Sequence, residues 1–448
     1  MEEDYRIIKI LNYTDSKEAL KIARNKESDF TRTSPLNVSN LSKLLIFREG
    51  KTNQMELYNF FSKIRKPEIC VTKSALTEQR KKLNPELFIH MNQMLANDIY
   101  KEEKIKTIEG TNLIPVGIDG SIFEIPNKSN LKEEFGYVEG SKDKEANVVT
   151  RAQVSGAYDC ENDIMLHASI NKYGTSEKKL AIEHIKYMKE IYSKEYKNML
   201  FIFDRGYIGI PLLLYLTASD GKYLFRLQEK TYKKEISEMN SLDEEITIPL
   251  TSSRKKNIQD ENLKELANQL KELKVRIVKV KLDSGEAEIL LTNISKEEIN
   301  TEKMKEIYFK RWNIEKAYDV IKNKLEMENF SGYSKLAIEQ DFYAQILLFN
   351  ILEDIKNTAN KKVKEDQEKS LKTYKYEYIV NLNILIGICK QYLLTLAITD
   401  KGEKHDKIRD EMLKIIKNNL VAVKTGRKYD RKWKSPNNRY VTNMRRNT

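Results

Sequence analysis

Apolar positions along the chain fall into stretches of helical period and stretches of period two. Leu76, Leu83, Leu87 and Met91 recur at helical intervals, predicting helices between about Leu36 and Ala96, started by Thr72 or Ser74 and interrupted near Pro85. Leu113 to Ser121 is short, apolar and punctuated by glycine, as a strand would be. Ala152 to Tyr158 and Ile164 to Ile170 flank a turn at Cys160–Asp163, which predicts an antiparallel hairpin. Ser176 to Tyr192 reads as helix, and the unbroken apolar run Met199 to Phe203 as a buried central strand. Ile210 to Ala218 follows as helix and Lys222 to Leu227 as strand. From about Glu229 to Ile299 the pattern turns β-rich: Val278, Val280 and Leu282 alternate with lysines before a Ser284–Gly285 turn, and one helical segment lies near Asp260 to Leu273. Helices are then predicted over Glu302–Lys324, Glu339–Thr358, Tyr378–Ala397 and His405–Val423, with a loose polar connection over Asn357–Lys375. The sum is a mixed α/β sheet flanked by helical regions, without an internal repeat.

The 448 residues suffice for two to four domains. Their 79 Lys and Arg against 67 Asp and Glu leave a formal net charge of +12, which favours a polyanionic partner. A chain rich in Lys, Ile and Asn also fits an AT-rich coding sequence, so charge alone does not decide. Cys70, Cys160 and Cys389 form no CxxC pair, pointing to a reducing compartment and away from a disulfide framework. His90, His167, His184 and His405 show no zinc-ligand spacing, and no GxSxG supports a hydrolase elbow. The acidic, mixed start is unlike a signal peptide, and the most apolar stretch, Asn383 to Ile398, carries Lys390 and Gln391. The expectation is a cytoplasmic protein without a membrane segment.

Two aspartates sit where strands are predicted to end: Asp119, followed by Gly120, and Asp204, followed by Arg205, Gly206 and Tyr207. A carboxylate at the end of a buried strand is costly unless paired, hydrogen-bonded or metal-bound, and two on one sheet suggest a shared cation site. Each alone also suits a turn or a helix cap. In YFKRWNIEKAYDVIKNK, Tyr308, Arg311, Glu315 and Lys322 fall within roughly 60° of one another on a continuous helix, beside an apolar stripe of Ile307, Ile314, Ala317 and Ile321. That layout presents a carboxylate among phosphate-binding groups. Arg311 and Glu315, spaced i,i+4, equally suit a simple helix-stabilising bridge.

Tyr308-x2-Arg311-x3-Glu315-x6-Lys322 resembles the Tyr-Arg-Glu-Lys signature of bacterial insertion-sequence transposases with a DDE triad. Asp119 in GIDGSIFEIPN and Asp204 in DRGY are similar to the segments around that family's first and second catalytic aspartates. The resemblance runs from about Lys73 to the basic C-terminal tail. It implies a ribonuclease-H-like core over 106–228 and 301–358, a β-rich insertion over 229–300, a helical DNA-recognition region over 1–105, and a helical C-terminal region with a basic tail over 359–448. It implies two Mg2+ ions, replaceable by Mn2+, on Asp119, Asp204 and Glu315. Tyr308, Arg311 and Lys322 would hold phosphates, with Arg205 assisting. Trp312 would either stack on a displaced base or pack beside its helix. Lys73, Arg80, Lys81 and Lys82 would contact phosphates of terminal inverted repeats. The implied partners are double-stranded element ends, target DNA and a second copy in a synaptic dimer, on the bacterial nucleoid. A catalytically silent DNA-binding derivative, or a metal-dependent nuclease on the same core, are the alternatives.

Overall fold

Two apolar runs, Ile114–Ile118 and Met199–Phe203, lie side by side as parallel strands, and every one of these residues is buried. The computed structural model describes residues 2–101, 105–139, 148–281, 287–370 and 375–424. The chain divides into two units: Ile99–Phe123 with Ala152–Tyr318, and Met1–Asp98 with Glu124–Arg151 and Asp319–Thr448.

The first of these units is built on a sheet. Its strands are β1 (Ile114–Glu124), β2 (Val149–Asp159), β3 (Ile164–Lys172), β4 (Met199–Phe203), β5 (Lys222–Arg226), β6 (Asp243–Pro249), β7 (Glu272–Lys281) and β8 (Ala287–Thr292). They run in the order β3-β2-β1-β4-β5-β8-β7-β6. β2 and β3 form the expected antiparallel hairpin, and the Cys160 amide at its turn donates to the Pro115 carbonyl at the start of β1. β4 pairs parallel with β1 and with β5. The β-rich stretch continues this same sheet, because β8 pairs antiparallel with β5 at Phe225↔Leu291 and then with β7. The Ser284–Gly285 turn expected between β7 and β8, and Leu282 before it, lie outside the described residues.

Alternation decides which residues face which layer. Leu200, Ile202 and Leu224 join Val278, Val280 and Leu290 under the helix Thr301–Phe309, which contributes Met304, Ile307 and Tyr308. Each such fully buried side chain contributes about 1.5–3 kcal/mol relative to exposure. The burial fixes the face of the helix and with it the direction of Tyr308.

The single helix expected over Glu302–Lys324 is in fact three pieces. Thr301–Phe309 ends in tight i,i+3 bonds, from the Lys310 amide to Ile307 and from the Arg311 amide to Tyr308. A second helix spans Trp312–Asp319, and Val320–Lys324 form a π-turn in which the Leu325 amide reaches back to Val320. Angular positions computed on one continuous helix therefore do not apply across Tyr308 to Lys322.

The other unit is helical around the helix Lys335–Glu368. The loose connection expected over Asn357–Lys375 is helix as far as Glu368, since Asn357 to Glu368 holds no Pro or Gly and buries Ala359 and Val363 one turn apart. The C-terminal helix stops at Asn418, and Leu420–Val423 pairs antiparallel with Glu377–Val380. Several buried polar side chains of the long helix are paired, although Gln345 Oε1 is buried without a hydrogen-bond partner. Asp354 takes Arg6 at 2.5 Å, Gln345 donates to the Leu45 and Ile46 carbonyls, and Asp341 takes Arg80 at 2.9 Å.

That last pair corrects an expectation. Arg80 is not a surface phosphate contact: it is 5% exposed, and its guanidinium also donates to Gln340, Ser331 and the Ala337 carbonyl. Its helix, Lys73–Arg80, turns this residue inward beside Leu76 while Lys73 points to solvent.

Candidate active site

The β1–β4 register brings the two aspartates together. The pairs Val116↔Phe201 and Gly117↔Ile202, continued by two residues along each parallel strand, end at Asp119 and Asp204. Their separation of 85 in sequence is thereby reduced to neighbouring strands, with Asp204 just past the end of β4. Asp119 does not end its strand as expected but lies midway along β1, which runs on to Glu124 beyond the stretch paired with β4. Beyond Asp204 the chain reverses at once, with the Tyr207 amide bonded to the Asp204 carbonyl, and Asp204 is half-buried just past the end of this central strand.

The broken helix supplies the rest. Tyr308 Oη donates to Asp204 Oδ1 at 3.2 Å. Arg311 Nη1 donates to Asp119 Oδ2 at 3.1 Å and Nη2 to Glu315 Oε1 at 2.8 Å. The guanidinium side chain is 4% exposed, against 20% for Asp119 and 40% for Glu315. It lies 5.8 Å from the Tyr308 ring centroid and 5.2 Å from that of Trp312. Trp312 is half-buried beside this cation. The i,i+4 bridge anticipated between Arg311 and Glu315 exists, and Asp119 turns it into a three-membered cluster.

Several supports left no trace in the sequence pattern. The Asp119 carbonyl accepts from Tyr318 Oη at 2.9 Å and from Ser155 Oγ at 3.5 Å, and Asp119 Oδ1 accepts from the Gly120 amide at 2.9 Å. Ser155 is bonded to His184 Nε2 at 2.9 Å, and His184 Nδ1 to His167 Nδ1 at 2.8 Å. Burial lowers the His167 pKa to about 4 and pushes His184 well below its usual value, so this pair is neutral near pH 7. Glu177, in the first turn of the helix Glu177–Ile191, comes close to the same part of β1: a Cβ added at Gly120 would lie 2.7 Å from Glu177 Oε1. Gly120 is therefore where backbone and a further carboxylate approach each other.

The electrostatics follow from crowding. Burial raises the Asp119 pKa to about 6; the charges of Glu315 and Glu177 add to this, and Arg311 and the Gly120 amide oppose it. Burial likewise raises Tyr308, keeping its hydroxyl a donor. The donor set is all oxygen and suits a hard divalent cation. As the side chains stand, among the described residues no group of three or more His, Cys, Asp or Glu is arranged to hold a metal ion. Arg311 occupies the ground between two of the acids.

Arg205 is exposed in the turn after Asp204. Lys322 belongs to the helical unit, where its Nζ lies 3.9 Å from Glu328 Oε1. Lys73 and Lys81 are exposed, Lys82 is half-buried, and Lys81 pairs with Glu78 at 2.7 Å. Lys73 and Lys81 border a cleft of about 460 Å³ that also includes Thr77, Tyr333 and Ser334. The basic tail lies outside the described residues from residue 425 on. Among the described residues no helix is long and apolar enough to cross a membrane.

Among solved structures, a piggyBac transposase synaptic complex with hairpin DNA is similar over 93% of this chain and 83% of that chain, at 10% identity and a TM-score of 0.42. No curated protein matches the chain. A family model described as "Transposase DDE domain" matches residues 116–351, more than half of the sequence and a span that contains Asp119, Asp204 and Glu315. The chain belongs to the DDE-domain transposases.

Proposed function

We propose that this transposase cuts the ends of a bacterial insertion sequence and joins the freed 3′ hydroxyls to target DNA. Asp119, Asp204 and Glu315 are the metal ligands in this reading. The observation that carries it is the parallel β1–β4 register, which sets the two aspartates on adjacent strands, Asp119 midway along β1 and Asp204 just past β4, beside the helix of Glu315. Two Mg2+ ions held by such carboxylates would supply charge neutralisation at the attacking and leaving oxygens of an in-line displacement. The order β3-β2-β1-β4-β5, antiparallel in its first strands and parallel in the last, supports a ribonuclease-H-like core, with the rest of the sheet as the insertion.

The chain's own residues have defined tasks. Arg311, a planar fork of donors, holds a phosphate oxygen pair once engaged with DNA. Tyr308 keeps Asp204 oriented, and Lys322 and Arg205 contact the DNA backbone. In the first step water adds to the scissile phosphorus and the 3′ oxygen leaves; in the second that 3′ hydroxyl adds to a target phosphorus and a target 3′ oxygen leaves. Lys73, Lys81 and Lys82 contact terminal-repeat phosphates, consistent with the net charge of +12. Joining two ends calls for a second copy in the synaptic complex. The test is to supply duplex DNA carrying the presumed ends with Mg2+ or with chelator and to separate hydrolysed from joined strands. Joined products support transposition, and hydrolysis alone would reassign the chain to the nucleases.

A further inference from the structure

Both carboxylate oxygens of Asp119 accept a hydrogen bond. Oδ1 accepts from the Gly120 amide at 2.9 Å and Oδ2 from Arg311 at 3.1 Å. The same guanidinium takes Glu315 Oε1 at 2.8 Å. We infer that Arg311 is a resident counter-cation of this site and competes with divalent metal ions for the Asp119 and Glu315 carboxylates; the inference rests on the reading of those acids as metal ligands.

Three features separate Arg311 from an ordinary helix-surface bridge. The first is burial. The i,i+4 pair Lys179–Glu183 is 3.9 Å long with side chains 73% and 50% exposed, where water competes for both charges. Arg311 is 4% exposed, so its charge is screened little and its partners feel it strongly. The second is valence: one guanidinium spans two carboxylates that come from different elements, β1 and the helix Trp312–Asp319, as a bridging metal ion would. The third is incomplete satisfaction. Arg311 Nε is buried without a hydrogen-bond partner, a cost that the present pose carries and that another pose can relieve.

A metal ion and the guanidinium draw on the same carboxylate charge and repel each other as like charges at close range, so each weakens the other by the same factor. The Tyr308 and Trp312 rings lie 5.8 and 5.2 Å from the guanidinium, and neither supplies an anion of its own. The competitor thus balances the acids' charge when no metal is bound and sets the metal concentration at which they load.

The experiment measures Mn2+ binding to the full chain without DNA, by loss of the free-ion electron paramagnetic resonance signal. Wild type, Arg311→Gln, Asp119→Asn and the double variant are compared, each shown to be folded by its thermal melt. Arg311→Gln is expected to bind Mn2+ about tenfold or more tightly than wild type, the effect of removing one close, poorly screened charge. The double variant should lose that gain. Arg311→Lys, which keeps a cation but can span only one carboxylate, should fall between wild type and Gln, and it carries the test if the Gln variant does not fold. Equal or weaker binding in the Arg311 variants, with Asp119→Asn still weakening all of them, overturns the competition and leaves the metal-ligand reading intact. Binding indifferent to Asp119→Asn in every background overturns that reading and the inference with it.

Discussion

The Tyr308 hydroxyl donates to Asp204 Oδ1 at 3.2 Å, while the ring that carries it is 2% exposed in the core over the sheet. One side chain thus serves packing and site orientation, and the two roles separate by substitution. Tyr308→Phe removes only the hydroxyl and is expected to cost about 1 kcal/mol of stability, because half-buried Asp204 regains water. Tyr308→Ala empties the core position and should cost about 3–5 kcal/mol. Urea unfolding distinguishes them; equal losses would mean that the hydrogen bond, not the ring, anchors the helix.

Arg80 and Asp341 form a buried pair whose loss leaves a charge without its partner. Arg80→Met is expected to destabilise the chain by about 3–5 kcal/mol in urea unfolding. Burial raises the Asp341 pKa, yet the charges of Arg80 and Arg48 and hydrogen bonds from Ser331 outweigh it and leave the group below its usual value. A carboxylate depressed in the folded state adds stability above its unfolded pKa of about 3.9, and that stability is lost as pH falls through the folded value. Denaturation curves in acid should therefore be flatter with pH in Asp341→Asn than in wild type, and parallel curves would contradict the assignment.

DNA affinity should sort the lysines from Arg80. Lys81→Ala is expected to weaken binding to any duplex and to reduce the slope of log affinity against log salt by about 1, as loss of one phosphate contact does. A folded conservative variant at Arg80 should leave that slope unchanged, since its guanidinium faces Asp341. A slope altered at Arg80 and unaltered at Lys81 would reverse the two roles.

Gly156 lies on β2 where a Cβ would meet Met165 Sδ at 2.7 Å and Tyr318 Oη at 2.9 Å. Tyr318 supports the Asp119 carbonyl, so Gly156→Ala presses on the site from behind. The expected cost is about 1–3 kcal/mol in thermal or urea unfolding, as for other overpacked positions. A variant as stable as wild type would show that Met165 gives way freely.

Local pattern carried much of the sheet into view. The run Met199–Phe203 is apolar throughout because both its faces are covered, whereas the alternation of Val278 and Val280 with lysines hid that Leu273, Val275 and Ile277 are buried on the other face of that strand. Asp204 was legible as an acid at a strand end; Asp119 was expected to end its strand too, but β1 runs on to Glu124, and β1–β4 pairing is what places the two together. The helix break at Lys310 was not legible: nothing in YFKRWNIEK is a Pro or Gly, and the tight bonds there are set by packing on the sheet. Arg80 was misplaced because its partner stands 261 residues away, beyond any helical spacing. The chain His167–His184–Ser155 behind Asp119 was invisible for the same reason, as strand and helix meet only in the fold.

The most direct measurement is a side-by-side incubation of the full chain and its Glu315→Gln variant with duplex carrying the presumed element ends, with and without Mg2+ or Mn2+. The account predicts nicked ends and joined strands from the wild type only when metal is present, and neither from Glu315→Gln, although both bind the DNA. Metal-dependent cutting that survives in Glu315→Gln, or a wild type that binds verified ends and never cuts them, would contradict it.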